Sequence, residues 1–441
     1  MKKRALFLLP FSLLLLASCS KPEPKTQTFH LVAKEVKQTI GGKPQTVWTY
    51  NGKVPGEELR VKVGQTVKIV LKNELPVATT IHWHGIAVPN DMDGVPELSQ
   101  TPVQPGKTFT YTFTAKDPGT YIYHSHVNSA YQVDKGLYGS IIVEGEDQKN
   151  YDRDYTVILD EWLESTDTLD AMFATTSNNT SDHTADHSQT INMTASAEGG
   201  GHNHSHGGSG HDMSAWSIFT MNGKTNDELK PLAVEDGDVV KLRLINIGHS
   251  DHYIKLNGTS FKVTHVDGQK VNEPETVENK YLLMSPGERY DIEFVYEANR
   301  GINLERMADA TIPSSTKWYV GKKEKTVAST APLGAIDFAN YGVAKTTKQS
   351  KQSYDVSYQM ELGQSSDGST YTINGKTFAE LDPFMVKRGD YVHVTITNPT
   401  NEIHPMHLHG HTFSVIKING EKVKGSSMLR DTILVQPNET Y

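Results

Sequence analysis

Three copies of one sequence unit follow one another along this chain, and this repetition limits the possible folds more than any other feature. The triplet Asn-Gly-Lys opens the copies at positions 51–53, 222–224 and 374–376. Each copy continues as two short strands of alternating apolar and polar residues that are separated by a glycine turn. Alternating strands and regularly spaced turns are typical of β-sandwiches. The chain is therefore predicted to be all-β, with three consecutive sandwich domains and little helix.

The spacing of the repeats places the domains at about residues 28–147, 150–335 and 345–441. A chain of 441 residues is longer than one hydrophobic core usually organises, which agrees with several domains. The third copy stops at a turn that, in the first copy, leads into a further stretch with histidines. We therefore expect the third domain to be incomplete relative to the first.

The charge balance argues against a nucleic-acid partner. The formal net charge is −9, and no long run of Lys and Arg appears after the first few residues. Because binding to phosphates needs a dense basic patch, this composition does not suit DNA or RNA binding.

The first 19 residues have the pattern of a bacterial lipoprotein signal. Lys2, Lys3 and Arg4 precede an apolar run over residues 5–17, which is followed by Ser18 and then by the only cysteine of the chain, Cys19. The apolar run is too short to span a bilayer as a stable helix. We expect Cys19 to receive a lipid and to anchor the exported protein to a membrane, on the extracytoplasmic side. An ordinary cleaved signal is the alternative, but it does not explain why the only cysteine lies there.

Histidines in the pattern His-x-His are the strongest functional feature. Three such pairs occur, His82 and His84, His124 and His126, and His407 and His409. On a strand, residues i and i+2 point to the same face about 7 Å apart, so each pair presents two imidazoles side by side. Imidazole suits copper, nickel and zinc. The middle copy has lysine and asparagine at the matching positions, so the pattern predicts metal sites in the outer copies alone.

At these residues the chain resembles a known family, the three-domain multicopper oxidases of the laccase and cuprous-oxidase group. The motifs that resemble it are His82-Trp83-His84-Gly85, Gly119-Thr120-Tyr121-Ile122-Tyr123-His124-Ser125-His126 and His404-Pro405-Met406-His407-Leu408-His409-Gly410. The likeness implies three consecutive cupredoxin-like Greek-key β-sandwich domains. It also implies a trinuclear copper cluster shared by the first and third domains, which would explain a middle domain without ligands.

The resemblance further implies a role for each ligand, with four coppers per complete chain. His82 and His407 would bind the type 2 copper, and His404 the type 1 blue copper. The type 3 pair would be held by His84, His124, His126 and His409. Asp93 would be the carboxylate beside the cluster that relays protons during reduction of O2, although Asp-Gly is also an ordinary turn.

One motif of this family, His-Cys-His followed by a further His and an axial Met, does not occur in the chain. His124 lies 19 residues after Pro105, and the same offset from Pro437 would place its counterpart at about position 456. Six of eight trinuclear ligands and one blue-copper ligand are thus present, and Cys19 cannot substitute for the missing cysteine. We expect the sequence to be incomplete. A natural stop, which would leave a copper-binding protein without activity, is the alternative.

A segment over about residues 165–215 is rich in Ser, Thr, Asn, Gly and His and has no hydrophobic period, which predicts a loop. Its candidate ligands are His183, His187, Met193, His202, His204, His206, His211 and Met213. Because thioether favours Cu(I) and imidazole accepts either copper state, these residues suggest a site that collects Cu(I) for oxidation. A solvated linker with a chance histidine bias and a general metal scavenger are the alternatives.

Two function classes follow from the sequence. The first is an oxidase that couples one-electron oxidation of Cu(I), or of phenols and aromatic amines, to four-electron reduction of O2 to water, in copper tolerance. The second is a non-catalytic lipoprotein that sequesters copper. Zinc hydrolysis is a weaker third hypothesis, because a catalytic zinc needs three protein ligands and an open position. A two-domain copper nitrite reductase is disfavoured by the third repeat.

Overall fold

The computed structural model describes residues 25–177, 216–310, 312–344, 353–365, 370–377, 380–426 and 428–441. Nearly all regular structure in these ranges is β, which confirms the predicted all-β class. No helix among them combines the length and the apolar character needed to cross a bilayer.

The first repeat forms two four-stranded sheets. Its strands are β1 (Thr26–Ile40), β2 (Lys43–Tyr50), β3 (Leu59–Lys62), β4 (Thr66–Asn73), β5 (His82–His84), β6 (Thr108–Thr114), β7 (Gly119–His124) and β8 (Tyr138–Glu144). A 3-10 helix spans Asn90–Met92, a second spans Glu146–Asn150, and helix α1 spans Ser129–Asp134. The sheet orders are β2-β1-β4-β6 and β3-β8-β7-β5. One apolar core takes residues from both sheets, so the two sheets form a sandwich.

The second repeat is the largest. It contains β9 (Arg153–Leu163), α2 (Thr166–Ser177), β10 (Trp216–Met221), β11 (Val239–Asn246), β12 (His252–Asn257), β13 (Lys262–Val266), β14 (Gln269–Lys270), β15 (Lys280–Met284), β16 (Arg289–Val295), β17 (Asn303–Arg306), β18 (Thr316–Tyr319) and β19 (Gly334–Ala335). The sheet orders are β10-β9-β11-β16-β13-β14 and β18-β17-β12-β15-β19. These sheets also share one apolar core.

The third repeat has the smallest buried core of the three. Its strands are β20 (Val356–Gln364), β21 (Tyr371–Ile373), β22 (Val392–Asn398), β23 (His404–His407), β24 (Phe413–Val415), β25 (Lys417–Ile418), β26 (Glu421–Lys422), β27 (Met428–Arg430), β28 (Thr432–Val435) and β29 (Glu439–Thr440). One sheet has the order β21-β20-β22-β29, and the remaining strands form the pairs β23-β28, β24-β27 and β25-β26.

The stretch predicted to be a loop from residue 165 begins with a helix, α2, instead. Leu169 on this helix is buried in a small apolar cluster with Leu163 and Trp216. Burial of one leucine against two neighbouring strands stabilises a helical turn that has no clear amphipathic period in the sequence. The exact boundaries of the three domains stay a prediction.

Candidate metal centre

Six histidines from the first and third repeats lie together at one interface. Antiparallel pairing of β5 with β7 sets His82 opposite His124. The third repeat lies on the other side of the cluster, where the ring of its His407 stacks on that of His84 with centroids 3.7 Å apart. The His409 ring centroid lies 4.1 Å from that of His82 and 5.1 Å from that of His126. The structure therefore brings all three predicted His-x-His pairs into one cluster.

Backbone carbonyls fix which nitrogen of several rings faces the cluster. Nδ1 lies 2.8 Å from the Asp93 carbonyl oxygen in His82, 2.8 Å from the Ser125 carbonyl oxygen in His124 and 2.9 Å from the Asp431 carbonyl oxygen in His407. A carbonyl oxygen can only accept, so each Nδ1 donates and each Nε2 keeps its lone pair. In metal sites, hydrogen bonds of this kind from the ring nitrogen that does not bind the metal fix the orientation of each histidine.

The buried Nε2 atoms of His82 and His407 have no hydrogen-bond partner among the residues that the structure describes. A buried polar atom without a partner costs free energy unless something else binds it. Ligand atoms also converge: three groups have their atoms within 4.8 Å of one another. The groups are His82 with His84 and His124, His82 with His407 and His409, and His84 with His407 and Asp431. Such an imidazole set fits copper.

Burial favours the neutral form of three of these imidazoles, those of His84, His124 and His407. It lowers the pKa of His84 to about 3, against a weaker opposing effect of Asp431. It likewise lowers the pKa of His124 to about 4, although a hydrogen bond to Ser125 opposes the shift. The pKa of His407 is also lowered, first by burial and then by the neighbouring His84. Because a metal binds the neutral imidazole, these three side chains are ready for a metal at neutral pH.

Asp93 links the two repeats. It follows the 3-10 helix Asn90–Met92, and its Oδ2 lies 3.0 Å from His409 Nδ1 while Oδ1 lies 3.3 Å from His82 Nδ1. Burial alone would raise the pKa of Asp93, but its contacts with His409 and His82 hold the pKa well below its usual range. Asp93 is therefore a carboxylate that contacts the histidine cluster, and its role in proton transfer stays a prediction.

His404 lies on β23 but outside the six-histidine cluster. It precedes His407 by three residues, so the strand pleat turns the two side chains to opposite faces. Its ring is buried and meets the Tyr371 ring edge to face, with centroids 5.3 Å apart. Burial lowers the pKa of His404, and the nearby Glu402 opposes this shift. The structure thus keeps His404 as a separate site.

The sequence reasoning missed Asp431 and Arg289, which lie behind the cluster. Asp431 Oδ1 is 3.6 Å from both His84 Nε2 and His407 Nδ1. Arg289, from the second repeat, donates two hydrogen bonds of 2.6 Å to this carboxylate, and both residues are almost fully buried. Burial alone would raise the pKa of Asp431, but Arg289 holds it far below its usual range. The available signal was a pair of charged residues, Arg430 and Asp431, inside an otherwise mostly apolar stretch over residues 428–435.

Several predicted residues lie outside the part of the chain that the structure describes. They are Cys19 and the ligands of the segment over residues 165–215, namely His183, His187, Met193, His202, His204, His206, His211 and Met213.

Family models match most of the chain. Three models described as multicopper oxidase match residues 32–148, 153–302 and 346–441. Together they match well over half of the chain.

Two related proteins have names that agree with the family models. The chain is 30% identical to multicopper oxidase MmcO of Mycobacterium tuberculosis, over 96% of this chain and 82% of the relative. It is 31% identical to copper resistance protein A of Escherichia coli, but there the match covers 60% of this chain and 45% of the relative.

A solved structure has the same fold over nearly the same length. The multi-copper oxidase of Pseudomonas thermotolerans is 25% identical and superposes with a TM-score of 0.69, over 95% of this chain and 91% of that chain. The identity to multicopper oxidase MmcO over most of both chains, together with the three family models, shows that the chain belongs to the multicopper oxidase family.

Proposed function

We propose that this protein couples one-electron oxidation of a reductant to four-electron reduction of O2 to water, with copper as its cofactor and copper tolerance as its role. The observation that carries the proposal is the single cluster formed by six histidines of the first and third repeats. Copper tolerance draws support from likeness to a protein named copper resistance protein A. The reductants proposed are Cu(I), small phenols and aromatic amines.

The proposed ligands follow the geometry of the cluster. His82 and His407 are assigned to the type 2 copper, which the partnerless Nε2 atoms of both residues support. The proposed type 3 ligands are His84, His124, His126 and His409. His404 is assigned to the blue copper, and its separate, buried position supports this role. When bound, the coppers supply the one-electron steps that reduction of O2 requires.

Asp93 is proposed to move protons beside the cluster. Its carboxylate reaches a histidine of each outer repeat, and it is about nine-tenths buried. A carboxylate held in this place can accept a proton and pass it toward the site where oxygen is reduced.

The exported state and the lipid anchor on Cys19 are part of the same proposal. Support comes from the basic residues, the apolar run and the cysteine at the start of the chain. An intact mass of the natively produced protein that retains residues 1–18, or that shows no lipid on Cys19, would contradict it.

The experiment is oxygen uptake by the natively produced, copper-loaded protein with Cu(I) and, separately, with a phenol. We expect uptake with both reductants, and we expect deletion of residues 180–213 to lower turnover of Cu(I) while sparing turnover of the phenol. Equal loss of both activities, or of neither, would contradict the proposed Cu(I) role of that segment. A fully loaded protein that takes up no oxygen with either reductant would contradict the oxidase and favour copper sequestration.

A further inference from the structure

An asparagine at the end of one strand is used in the same way in all three repeats. Asn73 ends β4, Asn246 ends β11 and Asn398 ends β22, and all three are fully buried. Each Nδ2 donates to the carbonyl oxygen four residues later, at distances of 2.8, 2.8 and 2.7 Å. Each Oδ1 accepts the backbone N–H two residues later, at 2.9, 3.0 and 3.0 Å. This asparagine therefore shapes the loop that precedes the next strand in every repeat.

The residue two positions after the asparagine differs among the repeats. It is Leu75 in the first, Gly248 in the second and Thr400 in the third, so only the third repeat has a hydroxyl group there. Thr400 Oγ1 lies 2.7 Å from Asn398 Oδ1 and 3.0 Å from His404 Nε2. The shared loop geometry thus brings a hydroxyl against one ring nitrogen of the histidine assigned to the blue copper.

The hydrogen-bond network decides where the protons lie. Asn398 Nδ2 faces three carbonyl oxygens, of Glu402, Val435 and Gln436, so the amide orientation is fixed and Oδ1 faces Thr400. An amide oxygen can only accept, so the Thr400 hydroxyl donates to it. The contact of Thr400 Oγ1 with the Glu402 carbonyl oxygen, at 3.2 Å, is longer and competes less. The hydroxyl oxygen is then left to accept.

The hydrogen bonds of Thr400 determine which ring nitrogen of His404 is protonated. With its proton directed at Asn398, Thr400 Oγ1 accepts a hydrogen bond from His404, so the imidazole proton must lie on Nε2. The lone pair is then on Nδ1, the nitrogen on the other side of the ring. A metal-binding histidine commonly has its second nitrogen held in this way, which fixes both the tautomer and the ring orientation.

The second repeat offers an internal comparison. His252 precedes Gly258 by six residues, just as His404 precedes Gly410, so the two histidines have matching positions. No hydroxyl is available from Gly248, and His252 Nε2 instead lies 2.8 Å from the Glu161 carboxylate. The third repeat, where a copper ligand is proposed, has the hydroxyl of Thr400 beside its histidine. The second repeat, where no copper ligand is proposed, has the buried carboxylate of Glu161 there instead.

We propose that Thr400, held by Asn398, is a positioning residue that keeps His404 in the Nε2–H tautomer and so presents Nδ1 to copper. The proposal rests on the proposed function in one respect, the assignment of His404 as a copper ligand. Its tautomer part stands on the hydrogen bonds alone.

The test is NMR spectroscopy of the full chain, produced without copper and labelled with ¹⁵N-histidine, in which a Thr400→Val variant is compared with Thr400→Ser. The His404→Gln spectrum assigns the His404 signals. We expect the Nε2–H tautomer in the unsubstituted protein and in Thr400→Ser, and a mixed or reversed tautomer in Thr400→Val. Copper affinity at this site should fall about 10- to 100-fold in Thr400→Val and stay near that of the unsubstituted protein in Thr400→Ser.

An Nδ1–H tautomer in the unsubstituted protein would overturn the inference, even if Thr400→Val fails to fold. An unchanged tautomer in a folded Thr400→Val variant would also overturn it. A different result bears on the proposed function: if added Cu(I) leaves the His404 signals of the unsubstituted protein unchanged, then His404 is not a copper ligand. The two failures are therefore distinguishable.

Discussion

Asp93 shows how one side chain joins two repeats at the candidate site. Its carboxylate accepts from His409 of the third repeat, and its backbone carbonyl accepts from His82 of the first. The amide oxygen of an asparagine at position 93 could still accept from His409, but it would carry no charge and could not take up a proton. An Asp93→Asn substitution can therefore separate the loss of proton transfer from the loss of the hydrogen bond to His409.

We expect Asp93→Asn to keep its bound copper and to lose about 100-fold in the turnover of O2, because proton transfer by a positioned side chain contributes about that much. Steady-state oxygen uptake, normalised to copper content, measures the effect. The control is Asp91→Asn, an exposed carboxylate two residues earlier, which should leave turnover unchanged. Undiminished turnover in Asp93→Asn would remove Asp93 from the mechanism.

At the residue scale, the sequence revealed side chains that follow a local pattern. The His-x-His spacing singled out six histidines, and the structure gathers all six. Asp431 and Arg289 have no such pattern, since their hydrogen bonds join residues 142 positions apart in the chain. A buried ion pair between distant parts of the chain depends on how the domains pack. The local sequence shows that Asp431 lies in an apolar stretch but not that it pairs with Arg289.

At the element scale, strand β5 is the part that holds the first histidine pair. It is three residues long and buried on both faces. His82 and His84 face the cluster, while Trp83 enters the core of the first repeat, with ring centroids 5.3 Å from Tyr111 and 5.1 Å from Phe113. Because the strand is so short, the tryptophan is its main anchor.

We expect Trp83→Ala to cost about 3–5 kcal/mol in the free energy of unfolding, the usual range for a buried Trp or Phe. Copper content should fall as well, since the strand with His82 and His84 loses its anchor. Trp48→Ala, at another buried tryptophan of the same core, is the matched control. Urea denaturation and metal analysis of both variants measure these effects. If the two variants lose equal amounts of copper, Trp83 is not a specific anchor of the strand with His82 and His84.

The alternating pattern predicted β4, β11 and β22, which follow the glycine turn in the three repeats, and β3 before that turn in the first repeat. The prediction was wrong for the stretches before the turn in the second and third repeats, since residues 234–236 and 386–388 are not strands. It missed α2, where one buried leucine rather than a regular apolar period stabilises the helix. The shared hydrogen bonds of Asn73, Asn246 and Asn398 depend on the conformation of the loop after each strand, which the alternating pattern does not describe.

At the scale of the whole molecule, the three repeats meet around Arg289 of the second. Its guanidinium donates to Asp431 of the third repeat and, through Nε, to the Thr120 carbonyl oxygen of the first at 3.2 Å. Among the described residues, the second repeat adds no histidine to the cluster, but its Arg289 supports the interface at which the cluster forms. Sequence alone could predict the shared centre only through the family resemblance, because its ligands lie far apart in the chain, His82 and His407 for example by 325 residues.

The central claim is that the first and third repeats hold one shared copper centre. The most direct test is the copper content and the electron paramagnetic resonance spectrum of His82→Gln, His407→Gln and the double variant, each produced natively. A shared centre predicts that each single variant loses the same copper and the same type 2 signal, and that the double variant loses no more than either single variant. Separate losses in the single variants that add up in the double variant would contradict the account.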